Sequence, residues 1–135
     1  MVLYLDSNVF IYPLLYNDAR AKNAVDILRK IIIGESSGIT SSLALDEVVW
    51  ILLKETKNRD LAIQETFRIL SFSNLTISPV DSSLMIDALH FMKKYPSLKP
   101  RDAIHVASAV RSHASTIITD DSDFDIVKEI KRMSL

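Results

Sequence analysis

Positions 2 to 12 read VLYLDSNVFIY, so that a short apolar run meets an acid before apolar residues resume. The run Val2–Leu5 is bounded by polar residues, a pattern typical of a buried parallel strand. A short helix is predicted to begin near Asn8 and to end around Pro13. Asp6 could cap that helix. It could equally belong to a charged site whose other members lie far along the chain.

Apolar residues at helical spacing alternate with short β-favouring runs along the rest of the chain. Gly34 supplies a helix stop, Asp81 an N-cap, Pro96 another stop and Pro100 a first helical position. Strands separated by helices require right-handed crossovers, so the pattern predicts an α/β fold with a parallel sheet covered on both faces. The further predicted strands are Gly38–Thr40, Leu75–Val80 and Thr116–Thr119, and the predicted helices are Ala21–Ile32, Ser41 or Ser42 to about Glu55, Asn58 or Asp60 to Leu70, Leu84–Tyr95, Arg101–His113 and Phe124–Met133.

Length and composition favour one globular domain over residues 1–135, since 48% of the residues are apolar and 24% are charged. No apolar run approaches the ~20 residues that a membrane helix needs, and the first residues lack the features of a signal peptide. Cysteine is absent, which excludes disulfides and thiolate metal sites. We therefore expect no membrane contact and a cytoplasmic location.

Net charge and glycine content limit the kinds of binding site that the chain can form. The net charge is −1, so the chain lacks the basic excess of most nucleic-acid-binding proteins. Any nucleic-acid contact must then use local basic patches. Only two glycines occur, Gly34 and Gly38, which excludes the Gly-rich phosphate loops of P-loop and dinucleotide-binding proteins.

Acids follow the first and the last predicted strands. Asp6 comes directly after the first, and Asp120, Asp121 and Asp123 come directly after the last. Open parallel sheets form their sites at the carboxyl ends of the strands, so these acids converge if the two strands are neighbours. The three later acids could instead form an Asx-type turn.

Two further acids lie on predicted helices. Glu47 has mainly apolar neighbours three and four positions away, where a carboxylate is costly unless it is paired or binds a cation. It could also extend to a nearby lysine. Asp102 lies in the first turn of its helix, where it would interact favourably with the helix dipole even without a catalytic role.

Several carboxylates without cysteine describe a hard oxygen site of the kind that Mg²⁺ or Mn²⁺ prefers. Unpaired, these acids would repel one another and raise each other's pKa, and a divalent cation removes that conflict. The matching chemistry is metal-assisted hydrolysis of a phosphodiester.

Four stretches of the chain resemble motifs of the PIN domain family and, within it, of the VapC-type toxin ribonucleases. They are LDSNVFIY at the start, SSLALDEVVWIL, KPRDAIHVASA and IITDDSDFD near the end. The resemblance covers nearly the whole chain. It implies a three-layer α/β/α sandwich with a central parallel sheet, and a divalent-metal-dependent endoribonuclease that hydrolyses RNA phosphodiester bonds. It also implies a homodimer and a small antitoxin partner.

The resemblance also assigns roles to individual residues. It implies that four acids are catalytic and bind Mg²⁺ or Mn²⁺, with Asp123 as a further metal ligand. Asp120 fills a variable position and is left out. The catalytic acids are Asp6, Glu47, Asp102 and Asp121, and the residues expected to orient Asp6 or to bind phosphate are Ser7, Asn8 and Thr119.

Basic residues near the acids could hold RNA. Lys99 and Arg101 lead directly into Asp102, and His105 follows one helical turn later. Each could instead be an ordinary solvated or packed side chain. An apolar group formed by Tyr12, Leu14, Leu15 and Tyr16 could line a groove or an interface, or it could be core.

Other functions remain open from the sequence. An RNA-processing nuclease outside a toxin system, or a non-catalytic PIN module that binds RNA or a partner, would keep the same fold. An aspartate-nucleophile phosphatase would normally carry a second acid where Asn8 stands. A phospho-receiver domain would need a lysine soon after Thr119, and none is present there.

Overall fold

The computed structural model describes all residues from Met1 to Leu135. It contains one five-stranded sheet, six α-helices and one short 3₁₀-helix. The strands are β1 (Val2–Leu5), β2 (Ser37–Ser41), β3 (Leu75–Ser78), β4 (Thr116–Ile118) and β5 (Lys131–Met133), and the helices are α1 (Ser7–Leu15), α2 (Ala19–Ile32), α3 (Ser42–Thr56), α4 (Arg59–Leu70), α5 (Ser82–Lys94) and α6 (Pro100–Arg111), with the 3₁₀-helix at Ser122–Ile126.

The sheet has the order β3-β2-β1-β4-β5, and every pair of neighbouring strands is parallel. Strand β1 lies at its centre, with Tyr4 paired to Ile39 on one side and to Ile117 on the other. Tyr4 and Leu5 are both fully buried, as expected for a strand covered on both faces. Because β1 and β4 are neighbours, the acids that follow them lie at the same edge of the sheet.

Helices cover both faces of the sheet and enclose two separate cores. Residues of α5 and α6 pack with Tyr4 and Ile117 on one face. Residues of α1 to α4 pack with Leu3, Leu5 and Ile118 on the other. The prediction of a three-layer α/β/α sandwich around a parallel sheet is therefore confirmed. No helix is both long and apolar enough to span a membrane.

Side-chain caps fix where most of the helices begin. The predicted cap at Asp81 is present, since its Oδ1 accepts a hydrogen bond from Leu84 N at 2.9 Å. Ser41, at the end of β2, caps α3 in the same way through Ala44 N at 3.2 Å. Helix α1 extends two residues past its predicted end and keeps Pro13 inside. Helices α1 and α3 begin directly after β1 and β2 in this way, so both start at the edge of the sheet.

The prediction of a final helix from Phe124 to Met133 is wrong. The 3₁₀-helix ends at Ile126 and the chain then forms β5, which pairs with the outer edge of β4. Phe124, Val127 and Ile130 are buried at intervals of three, a spacing that resembles one face of a helix. The open edge of β4 outweighs this signal, because β5 satisfies its backbone groups and extends the sheet.

Candidate active site

Five acids line one cavity of about 370 Å³, the four assigned from the sequence and Glu55 of helix α3. Asp6 follows β1, Asp121 follows β4, Glu47 lies on α3 and Asp102 lies in the first turn of α6. The convergence that the sequence made conditional on neighbouring strands is therefore present. Residues separated by more than a hundred positions meet because the central strand and its neighbour end together.

The acids form two groups of potential ligand atoms. Oxygen or nitrogen atoms of Asp6, Glu47 and His105 lie within 4.8 Å of one another. Carboxylate oxygens of Asp102, Asp121 and Asp123 lie equally close together. The donors are carboxylate oxygens with one imidazole, and no sulfur is available. This donor set fits Mg²⁺ or Mn²⁺, which favour oxygen ligands.

The pKa of Asp102 reflects its burial first and the neighbouring carboxylates second. Burial, chiefly, and the neighbouring carboxylate of Asp121 raise the pKa of Asp102 from 3.8 to about 6. Asp6 and Asp123 add to the shift, while His105 opposes it. A carboxylate disfavoured in its charged form by burial and by other carboxylates gains from a nearby cation, so the electrostatics agree with the donor set.

Asp6 is held by hydrogen bonds at both of its oxygens. Its Oδ1 accepts from the Ser7 backbone N–H at 2.7 Å, and its Oδ2 accepts from the Thr119 hydroxyl at 2.7 Å. Asp6 is only 8% exposed. The two roles that the sequence left open coexist, since Asp6 is the N-cap of α1 and also a wall of the acidic cavity.

Thr119 joins the two strand ends. Its hydroxyl donates to Asp6 and accepts from Asp121 N at 3.1 Å and from Asn8 Nδ2 at 3.4 Å. Asn8 Oδ1 is buried and has no hydrogen-bond partner in the protein, although Asn8 lines the cavity. Buried polar atoms are rarely left unpaired, so this oxygen is available to a water molecule or a bound ligand.

His105 is packed rather than exposed. Only 1% of it is accessible, its Nδ1 lies 2.8 Å from the Tyr4 hydroxyl and its Nε2 lies 2.7 Å from Glu47 Oε1. Asp6 Oδ1 is 3.5 Å from the same Nε2. Both ring nitrogens are thus engaged inside the protein, although His105 also lines the acidic cavity.

The charge state of His105 reflects the same surroundings. Burial by itself lowers the pKa of His105, but the hydrogen bond to Glu47 and the charges of Asp6 and Asp102 outweigh it and raise that pKa overall.

The spacing of His105 one turn after Asp102 indicated that it could face the site. Nothing in the sequence indicated Tyr4, because a tyrosine in a buried strand is ordinarily core.

Lys99 and Arg101 lie on the other side of the acids. With Asp102, Asp121 and Asp123 they line a second cavity of about 530 Å³, which also reaches Glu47. Lys99 Nζ is 3.8 Å from Asp123 Oδ2 in a largely exposed pair, which contributes little to stability. Both cations are therefore available to a ligand that approaches the acids from this side.

Two expectations about neighbouring groups are also resolved. Tyr12, Leu15 and Tyr16 line the acidic cavity and so form part of a groove. Leu14 lies outside that cavity and is 37% exposed. Asp120, which was not predicted to belong to the site, accepts a hydrogen bond from Leu135 N at 2.8 Å and so holds the C-terminal residue in place.

Comparison with known proteins agrees with this architecture. The family model described as "PIN domain" matches residues 3–130. VapBC2 from Rickettsia felis, solved bound to a DNA fragment from its promoter, superposes with a TM-score of 0.75 at 16% identity, over 100% of this chain and 99% of that chain. Mycobacterium tuberculosis VapC20, a sarcin-ricin loop cleaving toxin, gives a TM-score of 0.75 at 17% identity, over 93% of this chain and 95% of that chain.

A toxin–antitoxin complex from Klebsiella pneumoniae superposes with a TM-score of 0.65 at 22% identity, over 95% of this chain and 94% of that chain. At these identities the solved structures establish the fold. No curated protein matches the sequence significantly. The match of the family model to nearly the whole chain, together with the parallel sheet and its acidic edge, shows that the chain belongs to the PIN domain family.

Proposed function

We propose that the chain is a divalent-metal-dependent endoribonuclease that hydrolyses RNA phosphodiester bonds. The observation that carries this proposal is the meeting of Asp6, Glu47, Asp102 and Asp121 around one cavity at the carboxyl edge of the sheet. A bound Mg²⁺ or Mn²⁺ would activate water and stabilise the leaving oxygen of the phosphodiester. The protein residues hold the ion and orient the substrate.

The polar residues of the site fall into groups with different tasks in this mechanism. Asp6, Asp102 and Asp121 would hold one or two cations, directly or through water, and Glu47 would complete the set or orient the attacking water. Ser7 N and Thr119 Oγ1 fix both oxygens of Asp6. Three more groups act around this centre: Asp123 as a further ligand, and Lys99 and Arg101 as phosphate-binding cations.

We further propose that the nuclease is the toxin of a VapBC-type pair and acts in the cytoplasm as a homodimer. Support comes from the fold, since the similar structures include VapC20 and several toxin–antitoxin complexes. The partner would be a small antitoxin protein that covers the acidic groove. A chain without cysteine suits the reducing cytoplasm.

Cleavage of structured RNA by the purified protein tests the nuclease proposal. Wild type should cut in Mg²⁺ or Mn²⁺ and stop when the metal is chelated, and Asp6→Asn should reduce cutting to background while circular dichroism stays unchanged. Asp60→Asn is a matched control, because Asp60 lies in the first turn of α4 and is exposed. Undiminished cutting by Asp6→Asn, in a preparation free of contaminating nuclease, would contradict the proposal.

Induced expression in bacteria separates a toxin from a processing nuclease. A toxin should arrest growth, and Asp6→Asn should not. Co-expression of the gene next to the toxin gene, if it encodes a small DNA-binding protein, should restore growth and yield a complex. Normal growth of cells that contain abundant, active wild-type protein would favour an RNA-processing nuclease over a toxin.

A further inference from the structure

An aromatic and cationic cluster lies beyond the acids, at the end of α1 and the start of α2. The rings of Tyr12 and Tyr16 are 5.3 Å apart between centroids and are inclined by 72°. The Arg20 guanidinium carbon lies 4.9 Å from the Tyr12 ring centroid and 5.0 Å from that of Tyr16. None of the steps of metal-dependent hydrolysis described above uses these three side chains.

The cluster is held in place before any ligand arrives. Arg20 donates through Nη2 and Nε to Asp18 Oδ2 at 2.9 and 3.3 Å. Asp18 is itself fixed as the N-cap of α2, because its Oδ1 accepts from Ala21 N at 3.1 Å. A guanidinium locked between a carboxylate and two aromatic rings loses little further freedom when it binds a ligand.

The cluster is too exposed to serve only as packing between α1 and α2. Tyr16 is 47% accessible, and the Arg20 side chain is 46% accessible. A large aromatic residue that only joined two helices would bury most of its ring. The exposed ring and the exposed guanidinium therefore present a surface to which a flat, anionic ligand is complementary.

The cluster is also continuous with the acids. Tyr12 and Tyr16 line the same cavity as Asp6 and Asp102. The Tyr12 hydroxyl lies beside Asp120 in the segment that follows β4, and burial together with that carboxylate raises the pKa of Tyr12. A ligand lying on the rings can thus extend to the acids without leaving the groove.

The distribution of charge indicates a strand that crosses the acids. The other ionisable residues of the groove are mainly carboxylates, which repel a polyanion, so nearby cations would favour its binding. Arg20 supplies one at the tyrosine end, and Lys99 with Arg101 supplies them in the second cavity on the far side. The acids lie between these two groups of cations.

We propose that Tyr12, Tyr16 and Arg20 form a nucleotide subsite for single-stranded RNA. An unpaired base stacks on the exposed ring of Tyr16, and the Arg20 guanidinium binds the adjoining phosphate. Only an unpaired base can present its face in this way, so the substrate is a loop or an unpaired segment rather than a duplex. The proposal rests on the nuclease function proposed above, whose substrate class it narrows.

Binding of short RNA tests the subsite separately from cleavage. Fluorescein-labelled hexanucleotides of adenylate, cytidylate and uridylate are titrated by anisotropy with the Asp6→Asn protein in Mg²⁺, so that the RNA stays intact. Tyr16→Leu and Arg20→Ala in this background should each weaken binding about ten-fold. Tyr16→Phe keeps the stacking ring and should bind as the parent does.

A scan with single abasic positions identifies the stacked base. In the parent, removal of one particular base should weaken binding about ten-fold, whereas Tyr16→Leu should show no further loss at that position. Matched controls are Phe67→Leu on α4 and Arg29→Ala on α2, both exposed and remote from the groove. These controls should bind like the parent. Melting temperatures of all variants establish that each is folded.

The possible outcomes keep the two proposals apart. If folded Tyr16→Leu and Arg20→Ala bind RNA as the parent does, or if the abasic penalty persists in Tyr16→Leu, the subsite is excluded. Loss of binding to a protein partner in those same variants would assign the cluster to that partner instead. If the subsite binds RNA but the wild-type protein cuts none with added metal, the nuclease proposal fails while the subsite stands.

Discussion

Nε2 of His105 on α6 lies 2.7 Å from Oε1 of Glu47 on α3, and the two residues are 58 positions apart in the sequence. On its other side the same ring meets the Tyr4 hydroxyl of the central strand at 2.8 Å. A buried chain of hydrogen bonds thus runs from the middle of the sheet to an acid of the site. Such outer contacts orient the groups that bind a metal and raise its affinity.

Removal of the Tyr4 hydroxyl should loosen Glu47 without removing any acid. For Tyr4→Phe we expect Mn²⁺ affinity, measured by calorimetry, to fall by about ten-fold or more, with cleavage reduced in parallel. The free energy of unfolding should also fall by about 1–3 kcal/mol, because His105 Nδ1 loses its buried partner. Tyr95→Phe is the matched control, since its hydroxyl bonds to Glu129 away from the site. Unchanged Mn²⁺ affinity in folded Tyr4→Phe would argue against the positioning role.

The stability of the folded protein should vary with pH because the pKa of Asp102 is raised. Its pKa in the folded protein is about 6, above the ordinary 3.8, so the charged form disfavours folding. Without metal, Asp102→Asn should therefore unfold at a higher urea concentration than wild type at pH 7.5. This advantage should shrink as the pH falls through 6 and disappear below about 4, where the carboxyl is protonated in both states.

Asp60→Asn controls for the loss of a first-turn carboxylate, because Asp60 occupies the corresponding part of α4 in solvent. That variant should gain no stability at pH 7.5, since an acid in the first turn normally favours a helix. Saturating Mg²⁺ should reverse the order of wild type and Asp102→Asn at pH 7.5. An advantage of Asp102→Asn that is the same at every pH would contradict the assigned cause.

The sequence singled out four of the acids that line the cavity, and it missed one of the five strands of the sheet. Asp6 and Glu47 stand out in sequence because a strand end and apolar neighbours make a charge expensive there, whereas Asp102 suits the first turn of any helix and is assigned by the family resemblance. The distance in space between Asp6 and Asp121 could not be predicted from the sequence, since it depends on the order of the strands in the sheet. Only the structure supplies that order, since β1 and β4 are neighbours in its sheet.

Other features depended on tertiary contacts that leave no local pattern. Tyr4 looks like any core residue of a strand, and only the fold brings His105 to its hydroxyl. Strand β5 was predicted as the end of a helix, and the apolar residues at intervals of three before it are compatible with one. The unpaired edge of β4 that recruits it is a property of the sheet and not of residues 131–133.

Gly38 is required by close packing in β2. A Cβ at this position would lie 2.9 Å from Cδ1 and 3.1 Å from Cγ2 of Ile31, which is almost fully buried. Gly38→Ala should therefore lower the free energy of unfolding by about 1–3 kcal/mol. Ile31→Val removes the nearer atom, so the double variant should be less destabilised than the sum of the two single changes. Strict additivity in urea denaturation would show that the clash is not the cause.

Stabilisation by metal can rank the acids as ligands. Binding to the folded state alone stabilises by about 2.7 kcal/mol at a hundred-fold excess over Kd, which should raise the melting temperature by several degrees. Asp6→Asn and Asp121→Asn should lose most of this Mn²⁺-induced rise. Asp123→Asn should lose only part, because the Asp123 side chain is 53% exposed and lies at the margin of its group.

The comparison depends on each variant being measured against itself without metal, because removing an acid from this cluster changes the starting stability as well. Asp60→Asn should keep the full rise, since it lies outside both ligand groups. If Mn²⁺ raises the melting temperature of Asp121→Asn as much as that of wild type, Asp121 is not a metal ligand. A complete loss in Asp123→Asn would instead make Asp123 a principal ligand, held in place by the hydrogen bond from its own N–H to Asp121 Oδ1 at 2.9 Å.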